Sequence, residues 1–228
     1  MISPSSRGDR PIRRHDLVFV SPEGWRTLTT VPRDLEDERL VSLWADSDWP
    51  LVTRRPMPGD GDGDGIALGL PSPPSTGKRR LALVVPPAEV VSVTPPPALH
   101  DAAAAAPAEW QPVLERIEGL AKRHGVTARV FGSLAWQSLT GQSYLTGNSD
   151  IDLLFVAEQG ANLHGLAADL AVAEADAPMR LDGEFVRADG AAVNWREFHD
   201  GAGDLLVKTL HGVSLLRADL FWPGAPTS

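Results

Sequence analysis

The stretch VFGSLAWQSLTGQSYLTGNSDIDLLFV, residues 130–156, sets two acids, Asp150 and Asp152, at the mouth of a run of large apolar residues. In an extended strand, residues two apart point the same way. Asp150 and Asp152 therefore present two carboxylates side by side, with Ile151 turned toward the core. Like charges on one face repel and resist burial, so packing alone does not account for them. Hard oxygen ligands in this arrangement suit Mg²⁺, which also keeps bonds to substrate phosphates. Upstream, Gly132-Ser133 falls where a strand (126–132) turns into a short helix, with Ser133 as its cap and Gly141 as its stop. The glycine lets the backbone approach closely, and a helix start offers N–H groups to a phosphate. One end of a sheet would then hold a phosphate cradle beside a metal clamp.

Working outward, residues 109–125 read as a helix. Val113, Ile117 and Leu120 share a face, Lys122, Arg123 and His124 suit the negative end, and Gly125 stops it. Residues 151–157 read as a strand and 162–175 as a helix. Residues 180–195 read as a hairpin turning at Ala188-Asp189-Gly190. Residues 203–216 continue as helix, and the tail from Trp222 frays. Residues 1–92 are rich in Pro and Gly, and runs such as DLVFV (16–20) and RRLALVVP (79–86) read as short strands joined by turns. The expected fold is α+β. A small β-rich N-terminal domain (1–92) and a linker (93–107) precede a C-terminal α/β domain (108–228) built on a small mixed sheet.

The bulk numbers narrow the class. With 228 residues and 43% apolar content, the chain can build a core. It has no cysteine, which excludes disulfides, thiolate catalysis and cysteine-ligated zinc and fits a reducing cytoplasm. No stretch reaches the roughly 18 to 20 apolar residues of a membrane span, and the N-terminus lacks the apolar core of a secretory signal. A net charge of −9 argues against a nucleic-acid binder. Residues 1–100 carry 12 basic and 13 acidic side chains, and residues 101–228 carry 9 and 17, so the acidity gathers in the second half. That suits a cation site, although an acidic surface alone would look the same. The run Asp60, Asp62, Asp64, Gly65 mimics a calcium loop, but Pro71 stands where the bidentate Glu is required, so a flexible acidic loop is expected. His15-Asp16 reads as structural or surface.

Gly132-Ser133 followed by Ser149-Asp150-Ile151-Asp152 at the head of a strand resembles the signature of the nucleotidyltransferase superfamily. That resemblance implies a third carboxylate on a later strand. RLDGEFV (180–186) offers Asp182, with Glu184 on the same face as the alternative. The wider order of RHDLVFV, PLVTRRP, ALGLPSPPSTGKRRLAL, LDGEFV, AAVNWREF and LLVKT resembles the family of malonate decarboxylase holo-acyl-carrier-protein synthases, also called phosphoribosyl-dephospho-CoA transferases. The resemblance covers nearly the whole chain and is strongest from Val130 to Phe155.

It implies transfer of the phosphoribosyl-dephospho-CoA group from triphosphoribosyl-dephospho-CoA to a serine of the malonate decarboxylase acyl carrier protein, with release of pyrophosphate. The expected parts are Mg²⁺ on Asp150, Asp152 and Asp182 (or Glu184), and phosphates held by Gly132 and Ser133. Asn148 and Ser149 touch substrate or only shape the loop over the site. Lys208, placed on a helix, reaches the triphosphate or is simply solvated. Arg54-Arg55 and Lys78-Arg79-Arg80 hold substrate phosphates or the carrier protein, or merely flank strands. The expected partners are that carrier protein and the CoA-derived substrate, with no nucleic acid and no membrane, in the cytoplasm. Two rivals stand beside this reading: a nucleotidyltransferase acting from ATP or another nucleotide on a different acceptor, and a non-catalytic carrier-protein scaffold.

Overall fold

The computed structural model describes residues 11–31, 33–60, 63–77, 79–201 and 203–223. The fold is α+β, with one sheet in each of two compact units that divide between Pro96 and Pro97. No described helix is long and apolar enough to cross a membrane.

In the first unit, β1 (Leu17–Val20), β2 (Leu51–Thr53), β3 (Ile66–Pro71), β4 (Arg80–Val85) and β5 (Val90–Thr94) form an antiparallel sheet in the order β4-β3-β2-β1-β5. Two helices that the strand-and-turn reading omitted, α1 (Pro22–Thr30) and α2 (Leu35–Asp46), lie between β1 and β2. Their start signals are local. The Ser21 hydroxyl accepts from the Gly24 N–H at 3.0 Å, with Pro22 in the first turn, where a missing N–H costs nothing. Asp34 accepts from the Asp37 N–H at 2.9 Å, and Glu36, Asp37 and Glu38 occupy the positive end of α2. Trp25 and Leu28 of α1, and Leu40, Val41 and Trp44 of α2, are buried at helical spacing. Arg79 ties strand to helix through Asp34 at 2.9 Å, Asp37 at 3.1 Å and Glu36 at 3.2 Å. It serves as a brace within this unit. Lys78 lies outside the described residues.

Arg54 is likewise engaged within its own unit. Its guanidinium clasps Asp60, one bond being 2.8 Å, and donates to the carbonyls of Leu68 at 2.9 Å and Leu83 at 3.3 Å. Among the described residues of these basic runs, Arg55 and Arg80 are exposed. The acidic run is anchored at Asp60, which also accepts from the Met57 N–H at 2.6 Å. Gly61 and Asp62 fall outside the described residues. The Arg54 guanidinium, helped by the Met57 N–H, holds the Asp60 carboxyl down to about 2 from an ordinary 3.8. A carboxylate whose folded value lies below its unfolded one contributes stability above the unfolded value and loses it as the pH falls through the folded one. The window therefore runs from about pH 4 down to about pH 2. Asp60→Asn is expected to flatten the fall of the thermal midpoint across that window. Equal slopes for the parent and Asp60→Asn in a pH series of melting curves would refute the pairing.

In the second unit the sheet runs β11-β10-β9-β8-β7-β6. The strands are β6 (Val126–Phe131), β7 (Ile151–Ala157), β8 (Leu181–Val186), β9 (Ala192–Asn194), β10 (Asp204–Lys208) and β11 (Val213–Arg217). Only β7 and β8 are parallel, joined by a crossover through α6 (Leu163–Ala175). Ile151, Leu153, Phe155, Leu181, Phe185 and Val193 project from one face into the main core. There they meet α4 (Gln111–Arg123), which buries Val113, Leu114, Ile117, Leu120 and Ala121, and the apolar side of α6. Asp152, Asp182 and Glu184 belong to the alternate positions and so to the opposite face. That face carries a small cluster of Leu154, Val186 and Ala192.

Three expectations change here. The stretch 93–107 is not a free linker: Val93 and Thr94 complete β5, while Leu99 and Ala102 of α3 (Leu99–Ala102) are buried in the second core. Residues 203–216 are a hairpin, not a helix. Leu205 and Val207 are buried and alternate with exposed Leu206, and β10 pairs with β11 through Leu206 opposite Leu215. Helix α5 (Gly132–Thr140) begins one residue before Ser133, after extended Phe131, and no side chain caps it. Its stop at Gly141 is as expected, with φ +68°.

Candidate active site

The site is assembled where β7 and β8 begin. Asp150 immediately precedes β7, Ile151 is fully buried behind it, and Asp152 emerges again on the open face. The parallel register sets Asp182 directly opposite Asp152. One oxygen from each of Asp150, Asp152 and Asp182 lies within 4.8 Å of the others, and all three side chains are half-buried. Three like charges at this separation repel strongly unless a cation or donors offset them. Asp182 Oδ1 accepts from the Gly183 N–H at 3.1 Å and from Asn194 Nδ2 at 3.3 Å, and lies 3.8 Å from Arg196 Nη1. An all-oxygen, all-anionic donor set that is half open to solvent fits a hard divalent cation such as Mg²⁺.

The neighbouring turn is shaped by this cluster. Phe131, the last residue of β6, pairs with Asp152, so the chain enters α5 directly beside that carboxylate. Gly132 takes φ +63°, and a Cβ placed there would fall 1.8 Å from Asp152 Oδ2. A side chain there would force the Asp152 carboxylate or the turn itself to shift. The first-turn N–H groups of α5 have no intrahelical partner by construction and no capping side chain. Ser133 is the second residue of that turn.

The loop from Gly141 to Ser149 is held by its own polar groups. Gln137 on α5 accepts from the N–H groups of Tyr144 at 3.1 Å and Leu145 at 3.0 Å and donates to the Ala105 carbonyl at 2.7 Å. The Ser149 hydroxyl accepts from the Thr146 N–H at 2.9 Å, which makes it a turn former at the entrance to Asp150. The buried Tyr144 phenol is pushed well above its usual range by desolvation and stays protonated.

The two candidates for the third carboxylate separate clearly. Glu184 sits two residues further along β8, is 6% exposed, and accepts from Lys208 Nζ at 2.9 Å. It lies outside the three-carboxylate cluster. Lys208 ends strand β10, and its ammonium is directed to Glu184. Arg54, Arg55 and Arg79 belong to the first unit. Glu174, Asn194 and Arg196, which surround Asp182, were not singled out from sequence. Their one signal there is the acidic and basic pairing of Glu174 with Arg196 across two separate elements, which local spacing does not reveal.

Comparison with known proteins shows the family of the chain. Residues 13–96 match the phosphoribosyl-dephospho-CoA transferase MdcG N-terminal domain, and residues 98–219 match the corresponding C-terminal domain. A phosphoribosyl-dephospho-CoA transferase of Bradyrhizobium diazoefficiens is 53% identical over 228 residues, covering 100% of both chains. One from Xanthomonas campestris pv. campestris is 35% identical, covering 92% of this chain and 96% of its own. One from Xanthomonas euvesicatoria pv. vesicatoria is 36% identical, covering 91% and 96%. No solved structure matches. With both units matched and relatives aligned over nearly their whole lengths, the chain belongs to the phosphoribosyl-dephospho-CoA transferase family.

Proposed function

We propose that this protein is a Mg²⁺-dependent nucleotidyltransferase-type enzyme. It moves the phosphoribosyl-dephospho-CoA group from triphosphoribosyl-dephospho-CoA onto a serine of the malonate decarboxylase acyl carrier protein. The observation that carries the reading is the meeting of Asp150, Asp152 and Asp182 beside the turn at Gly132 in a chain of this family. The serine hydroxyl oxygen forms a bond to the α-phosphorus. The bond from that phosphorus to the pyrophosphate oxygen breaks, and pyrophosphate leaves with its electron pair. The serine proton passes to a nearby carboxylate, for which Asp182 is our choice.

The three carboxylates would hold the cation, which when bound supplies charge neutralisation on the phosphate oxygens. Gly132 keeps side-chain bulk away from Asp152 so that a phosphate can approach the backbone. The first-turn N–H groups of α5, including that of Ser133, are available to the departing phosphates. Gln137 and Ser149 fix the loop that delivers Asp150. The Glu184–Lys208 pair lies further along the same face and keeps Glu184 from joining the cluster.

The test is intact mass spectrometry of the apo carrier protein after incubation with this enzyme, Mg²⁺ and triphosphoribosyl-dephospho-CoA. A mass gain equal to the phosphoribosyl-dephospho-CoA group, absent when the metal is chelated, is the expected result. No gain with competent substrate, together with transfer of label from ATP to another acceptor, would overturn it.

A further inference from the structure

The strand that delivers Asp182 is gripped at its first residue. Leu181 donates its N–H to Glu174 Oε1 at 3.0 Å. Its carbonyl accepts from Trp195 Nε1 at 3.0 Å and from Arg196 Nη2 at 2.7 Å. Glu174, near the end of α6, and Arg196, in α7 (Trp195–His199), form a two-point ion pair. One bond runs from Nε to Oε2 at 3.2 Å and the other joins Nη2 to Oε1. The guanidinium lies over the Trp195 indole, 4.7 Å from the ring centre. Its third nitrogen, Nη1, is the one 3.8 Å from Asp182 Oδ1.

Leu181 itself is buried and apolar and has no chemistry to offer. Three polar side chains from two helices nevertheless converge on its peptide group, and one of them reaches past it to the next residue's carboxylate. A tie meant only to dock α7 on α6 would be complete with Glu174 and Arg196. The additional grip on the Leu181 carbonyl fixes where Asp182 leaves the strand. The Nη1 contact, with Asn194 on the same oxygen, fixes how its carboxylate is turned. One oxygen of that carboxylate lies within 4.8 Å of an oxygen from each of the other two acids.

We infer that Glu174, Trp195 and Arg196 are positioning residues, a clamp that sets Asp182 against Asp150 and Asp152. The inference rests on the metal-dependent reading above, and second-sphere contacts of this kind are worth about 10- to 100-fold in metal affinity or activity. Arg196 donates in a rigid fork, which a lysine cannot reproduce.

The experiment reads Mn²⁺ binding, by the electron paramagnetic resonance signal of the free ion, beside steady-state kinetics. It compares the parent, Arg196→Gln, Arg196→Lys, Glu174→Gln, Asp182→Asn and the double variant Arg196→Gln/Asp182→Asn, each checked for folding by circular dichroism. Arg196→Gln is expected to weaken Mn²⁺ binding by about 10-fold and lower kcat by about 10- to 100-fold, with KM for triphosphoribosyl-dephospho-CoA little changed. Arg196→Lys should recover only part of either loss. The double variant should bind Mn²⁺ no more weakly than Asp182→Asn alone, because the clamp acts through Asp182.

Arg196→Gln within twofold of the parent in both readouts overturns the inference, as does a full additional loss in the double variant. If Arg196→Gln does not fold, Glu174→Gln and Arg196→Lys are judged by the same criteria. If the parent binds no Mn²⁺, the metal reading is what fails. The clamp is then judged on kcat: a double variant no slower than Asp182→Asn supports it, and Arg196→Gln at the parent's rate overturns it.

Discussion

Asp152→Asn is expected to lower the rate of group transfer by about 10³-fold or more while leaving the thermal midpoint unchanged or slightly raised. The two halves of that result have one cause. Asparagine keeps the shape of aspartate and removes one anionic charge from a cluster whose oxygens lie within 4.8 Å of one another. In the folded protein without metal, that charge is repelled by Asp150 and Asp182, so its removal relieves the fold. On the proposed metal-dependent reading, the same charge would help hold a divalent cation against the substrate phosphates, so that its loss falls on the transition state. A factor of 10³ corresponds to about 4 kcal/mol, within what a bound metal supplies to phosphoryl transfer. Glu184→Gln supplies the contrast. That residue is buried and paired with Lys208, so its neutralisation strands an ammonium and lowers stability more than chemistry. Rates from the mass-spectrometric assay and midpoints from thermal melts decide the matter together. Asp152→Asn retaining a tenth or more of the parent's rate would remove the carboxylates from the mechanism.

The first acid pair was legible in sequence because alternation along a strand is a local rule: Asp150 and Asp152 must share a face whatever the strand pairs with. The third acid is not fixed by that rule, since Asp182 and Glu184 also share a face. What separates them is their partners. Glu184 is claimed by Lys208 from β10, and β10 was read as helix because Leu205, Leu206, Val207 and Leu210 satisfy a helical spacing as readily as an alternating one. The helix reading and the open choice between Asp182, the preferred residue, and Glu184 thus share one cause. Arg54 and Arg79 show the same limit. A basic side chain near short strands reads as an anion ligand, but the anions they meet are Asp60 and the acidic start of α2. The clamp on Asp182 draws on β8, α6 and α7, so no single window of sequence contains it. The helices of the first unit were legible in principle. Ser21-Pro22 and Asp34 with three following acids are start signals that the Pro- and Gly-rich composition obscured.

Gly132→Ala is expected to remove most activity and to lower stability by about 2 to 4 kcal/mol, from two separable causes. The first is the backbone. Gly132 holds φ +63°, where an L-residue with a Cβ costs about 1 to 2 kcal/mol. The second is the site. The added Cβ would stand 1.8 Å from Asp152 Oδ2 and 2.6 Å from its Cγ, far inside contact distance. Either α5 or the carboxylate must move. The helix is fixed by buried Leu134, Ala135 and Trp136, so the half-buried carboxylate is the softer party and swings away from Asp150 and Asp182. Activity then falls through loss of ligand geometry, with the three acids chemically intact. The two causes are separated by repeating the substitution in an Asp152→Ala background, where no carboxylate remains to strike. There the added destabilisation should shrink to the backbone share of about 1 to 2 kcal/mol, measured by urea unfolding of the four proteins of the cycle. An undiminished cost in that background would mean that the turn at Gly132 is a requirement of the fold alone, and that its nearness to Asp152 has no part in placing the carboxylate.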